Sequence, residues 1–225
     1  DHLEALVARG LRNALIATDA RAVPAALNTI RCADTLTGLQ QLAAWHRGLQ
    51  QVPVVGITGS NGKTVVKEWL YQLLRGTEHI VRSPGSWNSQ VGVPLSVWNI
   101  RREHTLALIE AGISRTGEME RLEPIIRPTI GIFTNIGAAH AEGFADERTK
   151  AREKFRLFAR AQAVVHCADH PFVTGAMDDA GYTGTRLGWS RKQTAFVRVL
   201  EEHRDGEGTW LSVEHAGTDH RFLLP

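Results

Sequence analysis

The stretch Val54-Val55-Gly56-Ile57-Thr58-Gly59-Ser60-Asn61-Gly62-Lys63-Thr64 decides the fold. Five residues of almost unbroken apolar character read as a buried strand, and a glycine-rich turn then runs directly into helical spacing. Val65, Val66, Trp69, Leu70, Leu73 and Leu74 recur on that spacing up to Gly76. A Gly-Lys-Thr between a buried strand and an amphipathic helix is a phosphate loop. Its glycines let backbone N–H groups close around phosphate oxygens, the helix N-terminus adds partial positive charge, Lys63 reaches the outer phosphates, and Thr64 ligates magnesium. The spacing departs from G-x-x-x-x-G-K-[ST], because Ile57 stands five before Gly62 and the nearest upstream glycines are Gly56 and Gly59. Gly59, Ser60, Asn61, Gly62, Lys63 and Thr64 are the expected ATP contacts.

Outward from the loop, strand and helix alternate. Further strands are expected at 79–82, 105–109, 129–134 and 163–167, with helices at 91–100, 117–126 and 147–161, a rhythm that gives a parallel sheet covered on both faces. After Trp189 the period changes to two, and antiparallel strands are expected at 194–200, 209–214 and 220–224. Residues 1–50 read as part of a smaller α/β domain, with a helix at 3–9, a strand at 13–17 and a helix at 36–46. The link 50–53 marks the boundary with a central domain over 51–225. The expected fold class is therefore α/β, a phosphate-loop parallel sheet flanked by helices with an antiparallel β extension, preceded by part of a smaller α/β domain.

Composition sets the limits. The 225 residues are 43% apolar and 22% charged, enough for a sizeable core, and 26 Lys plus Arg against 24 Asp plus Glu leave a formal charge of +2. So even a balance provides no polyanion surface for nucleic acid. Cys32 and Cys167 have no CxxC spacing, which fits a reducing cytoplasm rather than a zinc or redox pair. No apolar run is long enough to cross a bilayer, and the first residues, Asp1-His2-Leu3-Glu4, are unlike a signal peptide. The non-Met start and an end in mid-pattern at Pro225 read as a fragment.

Gly56 to Thr64 resembles the ATP loop of the Mur ligases and their folylpolyglutamate synthase relatives. Ser83-Pro84-Gly85-Ser86-Trp87-Asn88-Ser89-Gln90-Val91-Gly92-Val93-Pro94 is similar to the substrate loop of the branch that adds D-alanyl-D-alanine, in a version like that of ligases fused to alanine racemase. Ile109-Glu110-Ala111-Gly112-Ile113-Ser114 and Asn135-Ile136-Gly137-Ala138-Ala139-His140 resemble that branch's next two motifs, in the same order. The resemblance implies an ATP- and Mg2+-dependent amide ligase acting through an acyl phosphate, with UDP-N-acetylmuramoyl-tripeptide and D-alanyl-D-alanine as partners. It also implies a cytoplasmic monomer, residues 1–50 as the tail of the UDP-sugar domain, and no C-terminal ligase domain within these residues.

Residue by residue, the resemblance implies Glu110, at a strand's carboxyl edge where such folds hold ligands, as a magnesium ligand. His140 is expected near a second magnesium. Lys154, fourteen residues beyond it, is expected as a carbamate formed with CO2, its stem beside the apolar stripe of Ala151, Phe155 and Phe158, with Lys150 and Arg152 turned further away. Ser83 and Asn88 are expected to hold the peptidyl sugar, with Trp87 packing on it. The catalytic set is thus Lys63, His140 and Lys154, and the metal set Thr64, Glu110, His140 and Lys154. The competing readings are a diaminopimelate- or lysine-adding ligase, a folylpolyglutamate synthase, a phosphate-loop kinase, and a nucleotide-binding module that does not turn over.

Overall fold

The computed structural model describes residues 2–137 and 143–224. A helix α1 (His2–Ala8) precedes two parallel strands, β1 (Asn13–Ala17) and β2 (Asn28–Cys32), and helix α2 (Thr35–Gly48) leads out of them. The chain then forms β3 (Val54–Thr58), α3 (Lys63–Leu74), β4 (Ile80–Arg82), α4 (Gly92–Val97), β5 (Leu106–Glu110), α5 (Glu118–Ile126) and β6 (Ile130–Phe133). Next come α6 (Glu147–Phe155) with a 3-10 turn at Arg156–Phe158, β7 (Ala163–Cys167), α7 (Pro171–Asp179), β8 (Thr185–Ser190), β9 (Val197–Arg204), β10 (Thr209–His215) and β11 (Thr218–Leu224). Strands β3 to β11 make one sheet in the order β11-β10-β9-β8-β7-β6-β3-β5-β4.

From β4 to β9 the neighbours run parallel, and only β9, β10 and β11 pair antiparallel. The β extension is therefore continuous with the parallel sheet. The period-two signal after Trp189 marked it, but α7 and β8 fall where the sequence alone gave no element. Gly175, Gly181 and Gly184 interrupt that region, so propensity is weak there. Pairing with β7 and a buried Val173, Ala176 and Met177 supply the order instead.

Alternation along β3 splits the core into two layers. Val55 and Ile57 join Leu108 against Val66, Leu70 and Tyr71 on α3. Val54 faces the opposite layer, where Ile109, Leu122, Phe133, Phe155, Phe158 and Val164 belong to the larger cluster. Each such side chain taken fully from water contributes roughly 1.5–3 kcal/mol before entropy is counted. Gly131 on β6 is required by contact, since a Cβ there would lie 2.5 Å from the Phe158 ring. Phe158 in turn meets Phe133 and Phe155 edge-on at centroid distances of 6.1 and 6.0 Å.

Helix α2, which the sequence assigns to the preceding domain, packs on α4 and α5 and contributes Ala43 to the larger core. Its Arg47, only 6% exposed, donates to Ile126 O at 2.9 Å, Gln50 O at 2.7 Å and Arg127 O at 3.2 Å. Those bonds tie the 50–53 link to the C-terminal end of α5, where carbonyls lack intrahelical donors.

Candidate active site

The loop after β3 is built by bracing. Thr58 Oγ1 donates to Ala111 O at 2.8 Å, and Thr134 Oγ1 donates to Asn61 O at 2.6 Å. Gly59 has φ +147°, and a Cβ on it would sit 1.9 Å from Thr134 Oγ1, so only glycine fits. The N–H groups of Ser60 and Asn61 donate to Asn135, at 2.9 Å to its carbonyl and 3.0 Å to its side-chain oxygen. Ser60 Oγ further accepts the Gly137 N–H at 3.1 Å. Ser60 and Asn61 thus spend these groups on holding the loop to the segment after β6. The N–H groups of the first turn of α3 have no intrahelical acceptor and are the donors that could face an anion. Gly62 opens that helix at φ +79°.

Lys63 donates to Gly59 O at 3.0 Å, and burial holds its ammonium below the ordinary lysine range while Glu110 works in the other direction. Thr64 and Glu110, 46 residues apart in sequence, meet directly: Thr64 Oγ1 donates to Glu110 Oε2 at 3.1 Å. Asn88 Nδ2 lies 3.5 Å from the same oxygen. Asn88 is fixed there because its carbonyl accepts the Gly112 N–H at 2.8 Å and its side chain occupies the space a Cβ on Gly112 would need.

Lys63, Asn88, Gln90, Gly112, Glu118 and Lys154 line a cleft of about 330 Å³ at the carboxyl edge of the sheet. Lys154 reaches it from α6 as expected, with 2% of its surface exposed. Burial, then the nearby Lys63 and Lys150, push its pKa down to about 7.

Two expectations change. Lys150 does not turn outward: it is 1% exposed and donates to Gly137 O at 2.5 Å, joining α6 to the segment that braces the phosphate loop. One turn apart on α6, Lys150 and Lys154 lie on the same face of the helix, and both are buried. Ser83 is fully buried, and its hydroxyl accepts the Glu110 N–H at 3.2 Å, so it supports the carboxylate from beneath instead of facing the cleft. His140 lies outside the described residues.

The sequence reading also missed three residues. Lys67 on α3 is fully buried, with its ammonium 2.9 Å from Glu110 Oε1. Its place four residues after Lys63, on the same helix face, is the signal that could have found it. Asn135, which orders the loop, gave no signal beyond lying in a motif. Glu153 looked like one charge among many on α6.

Magnesium fits the residues present. Among the described residues no three of His, Cys, Asp and Glu converge as a metal cage. An ion that keeps waters and binds substrate phosphates needs only one or two protein oxygens. Ligands at adjacent corners of an octahedron with bonds of about 2.1 Å are about 3.0 Å apart, and Thr64 Oγ1 and Glu110 Oε2 stand at 3.1 Å.

Fold and cleft together define a phosphate-loop α/β domain with a carboxylate set beside the loop's threonine. The chain belongs to the Mur ligase family: the Mur ligase middle domain matches residues 57–222. Among curated relatives, the UDP-N-acetylmuramoyl-tripeptide–D-alanyl-D-alanine ligase of Bacillus subtilis is 30% identical over 195 residues, 85% of this chain and 41% of that protein. The ligase of the same name from Escherichia coli is 37% identical over 128 residues, 56% of this chain and 28% of that protein. The MurF structure from Acinetobacter baumannii superposes with a TM-score of 0.88 at 24% identity, covering 99% of this chain and 49% of that one. MurF from Thermotoga maritima in complex with ADP gives 0.82 at 24% identity, over 93% and 48%. The chain thus spans less than half the length of these relatives. No helix among the described residues is long and apolar enough to cross a membrane.

Proposed function

We propose that this chain is the nucleotide-activating part of an ATP-dependent amide ligase of peptidoglycan precursor synthesis. The ligase joins D-alanyl-D-alanine to UDP-N-acetylmuramoyl-tripeptide and works as a monomer in the cytoplasm. The observation that carries the reading is the pairing of Thr64 Oγ1 with Glu110 Oε2 at 3.1 Å, joined through Asn88 to a cleft lined by both Lys63 and Lys154. The shared name of the relatives supports this substrate pair over a diaminopimelate- or lysine-adding enzyme or a folylpolyglutamate synthase.

The chemistry needs two anions brought together, a substrate carboxylate and the γ-phosphoryl group. Thr64 Oγ1 and Glu110 Oε2 would hold magnesium, which would supply charge neutralisation on the phosphates. The first turn of α3 orients the triphosphate, and Lys63 leaves the loop carbonyls to meet its outer oxygens. The carboxylate oxygen attacks the γ-phosphorus, ADP departs, and the resulting acyl phosphate is open to the incoming amine. Asn88, facing the cleft from the 83–94 loop, holds the peptidyl sugar. The family resemblance would give His140 a role toward a second magnesium.

Lys154 is proposed as a carbamate. A lysine whose pKa is pushed down to about 7 supplies free amine at neutral pH. The nitrogen lone pair bonds to the carbon of CO2, one proton leaves the nitrogen for solvent, and a cation becomes an anion that binds metal and relieves the crowding with Lys63 and Lys150. Labelled bicarbonate gives a carbamate carbon resonance in the wild type and none in Lys154→Met. Its absence from the wild type excludes the modification.

The function itself is tested on the full-length protein. Phosphate release from ATP should require both the UDP-tripeptide and D-alanyl-D-alanine. Nucleotide binding without such release identifies a binding module, and release driven by another amino component reassigns the substrate.

A further inference from the structure

Lys67 is the one lysine of α3 whose ammonium is sealed from solvent at the back of the site. Its Nζ donates to Ser83 O at 2.8 Å and to Gly85 O, and lies 3.2 Å from Glu68 Oε1. It also stands 2.9 Å from Glu110 Oε1, with both side chains fully buried. Oε1 receives no aligned hydrogen bond, so the ammonium's charge is what faces it. The second oxygen, Oε2, has the opposite surroundings: Thr64 Oγ1 at 3.1 Å and Asn88 Nδ2 at 3.5 Å, on the cleft side. The two oxygens of one carboxylate are thereby given different tasks.

We propose that Lys67 is a positioning residue that withholds Oε1 of Glu110 and presents Oε2 alone beside Thr64, selecting Mg2+ over Ca2+ at the nucleotide site. The inference rests on the magnesium-nucleotide reading above and names a selectivity determinant within it. A divalent ion drawn toward Oε1 would meet an ammonium 2.9 Å from that oxygen, so two-oxygen chelation by Glu110 is opposed by charge. Single-oxygen ligation suits the small octahedral ion, whereas Ca2+ takes six to eight oxygens and uses chelating carboxylates readily. Because the ammonium is anchored on the Ser83 and Gly85 carbonyls, it cannot follow Glu110 if the carboxylate rotates.

The test uses the full-length protein and a fluorescent ATP analogue, titrated with Mg2+ and, separately, with Ca2+. Wild type should favour Mg2+, and Lys67→Met should raise the ratio of Ca2+ to Mg2+ affinity by about tenfold, since the freed Oε1 becomes available for chelation. A merely structural lysine would weaken both cations alike, and an unchanged ratio overturns the proposal. Should Lys67→Met not fold, crystals of the wild type with a non-hydrolysable analogue and each cation decide. Glu110 bound through Oε2 alone, with Lys67 still on Oε1, supports the proposal; chelation through both oxygens overturns it. Failure of the wild type to bind nucleotide in a magnesium-dependent way overturns the underlying reading, and with it this inference.

Discussion

Glu153 Oε1 accepts the N–H of Gly117 at 2.7 Å and that of Met119 at 3.2 Å, so the start of α5 is capped by a carboxylate from α6. The residue at the cap position, Gly117, has no side chain to do this and sits at φ +86°. Hydrogen bonds to a buried charge contribute about 1.5–3 kcal/mol. Glu153→Ala should cost about 2–3 kcal/mol in urea denaturation, and Glu153→Gln about half as much. Equal stability of Glu153→Ala and wild type would show that α5 is capped by water instead.

The two glycines of the phosphate loop should fail for different reasons. Gly59→Ala places a methyl 1.9 Å from Thr134 Oγ1 and must displace the loop, so nucleotide binding should be abolished. Gly62→Ala meets nothing within 4 Å and bears only the strain of φ +79°, about 1–2 kcal/mol. It should fold with a modestly lowered Tm and bind nucleotide measurably. Isothermal titration of both variants separates the cases, and similar losses would contradict the steric argument.

Lys154 makes stability depend on pH with a defined sign. The folded chain releases its proton near pH 7, against 10.5 for an ordinary lysine. Between those values the unfolded chain holds one more proton, so stability rises with pH, by at most about 1.4 kcal/mol per unit. Below pH 7 the lysine is protonated in both states, and the full cost of burying its charge remains. Denaturation of wild type and Lys154→Met in CO2-free buffers from pH 6.5 to 9 should show a steeper rise in the wild type, the remainder coming from other buried groups such as Lys63. Parallel profiles would mean that Lys154 is solvated.

Arg47 holds α2 to the C-terminal end of α5 through the carbonyls of Ile126 and Arg127, and fixes the link by bonding Gln50 O. Arg47→Met should cost about 2–4 kcal/mol, because several acceptors lose charged donors at once. Faster limited proteolysis at 50–53 should accompany that loss. Unchanged cleavage would leave α2 anchored by Ala43 and its neighbours alone.

Legibility in the sequence followed the locality of the cause. The phosphate loop could be read because glycine, lysine and threonine act within a few residues, and the parallel sheet because buried strands are apolar throughout. Helix α7 and strand β8 could not, since glycines weaken the local pattern and β7 supplies the order from outside. Ser83 and Lys150 were misjudged for a related reason. Whether a polar side chain faces a cleft or a neighbouring backbone depends on the partner's position, here Glu110 N–H and Gly137 O. Lys67 shows the limit most sharply: its place one turn after Lys63 points toward the site, but its burial depends on Ser83, Gly85 and Glu110, which lie on two other segments.

The strand that leads into the phosphate loop is born without neighbours. Thr58 finds Ala111 across 53 residues, and Val54 finds Thr129 across 75. During translation the Val and Ile run of β3 must wait, uncovered, until both flanking strands have left the ribosome, and parallel pairing over such separations is slow. A nascent chain cut short before β6 would already contain every residue from Gly59 to Thr64 and still have no cradle, because its walls are made of sequence not yet synthesised.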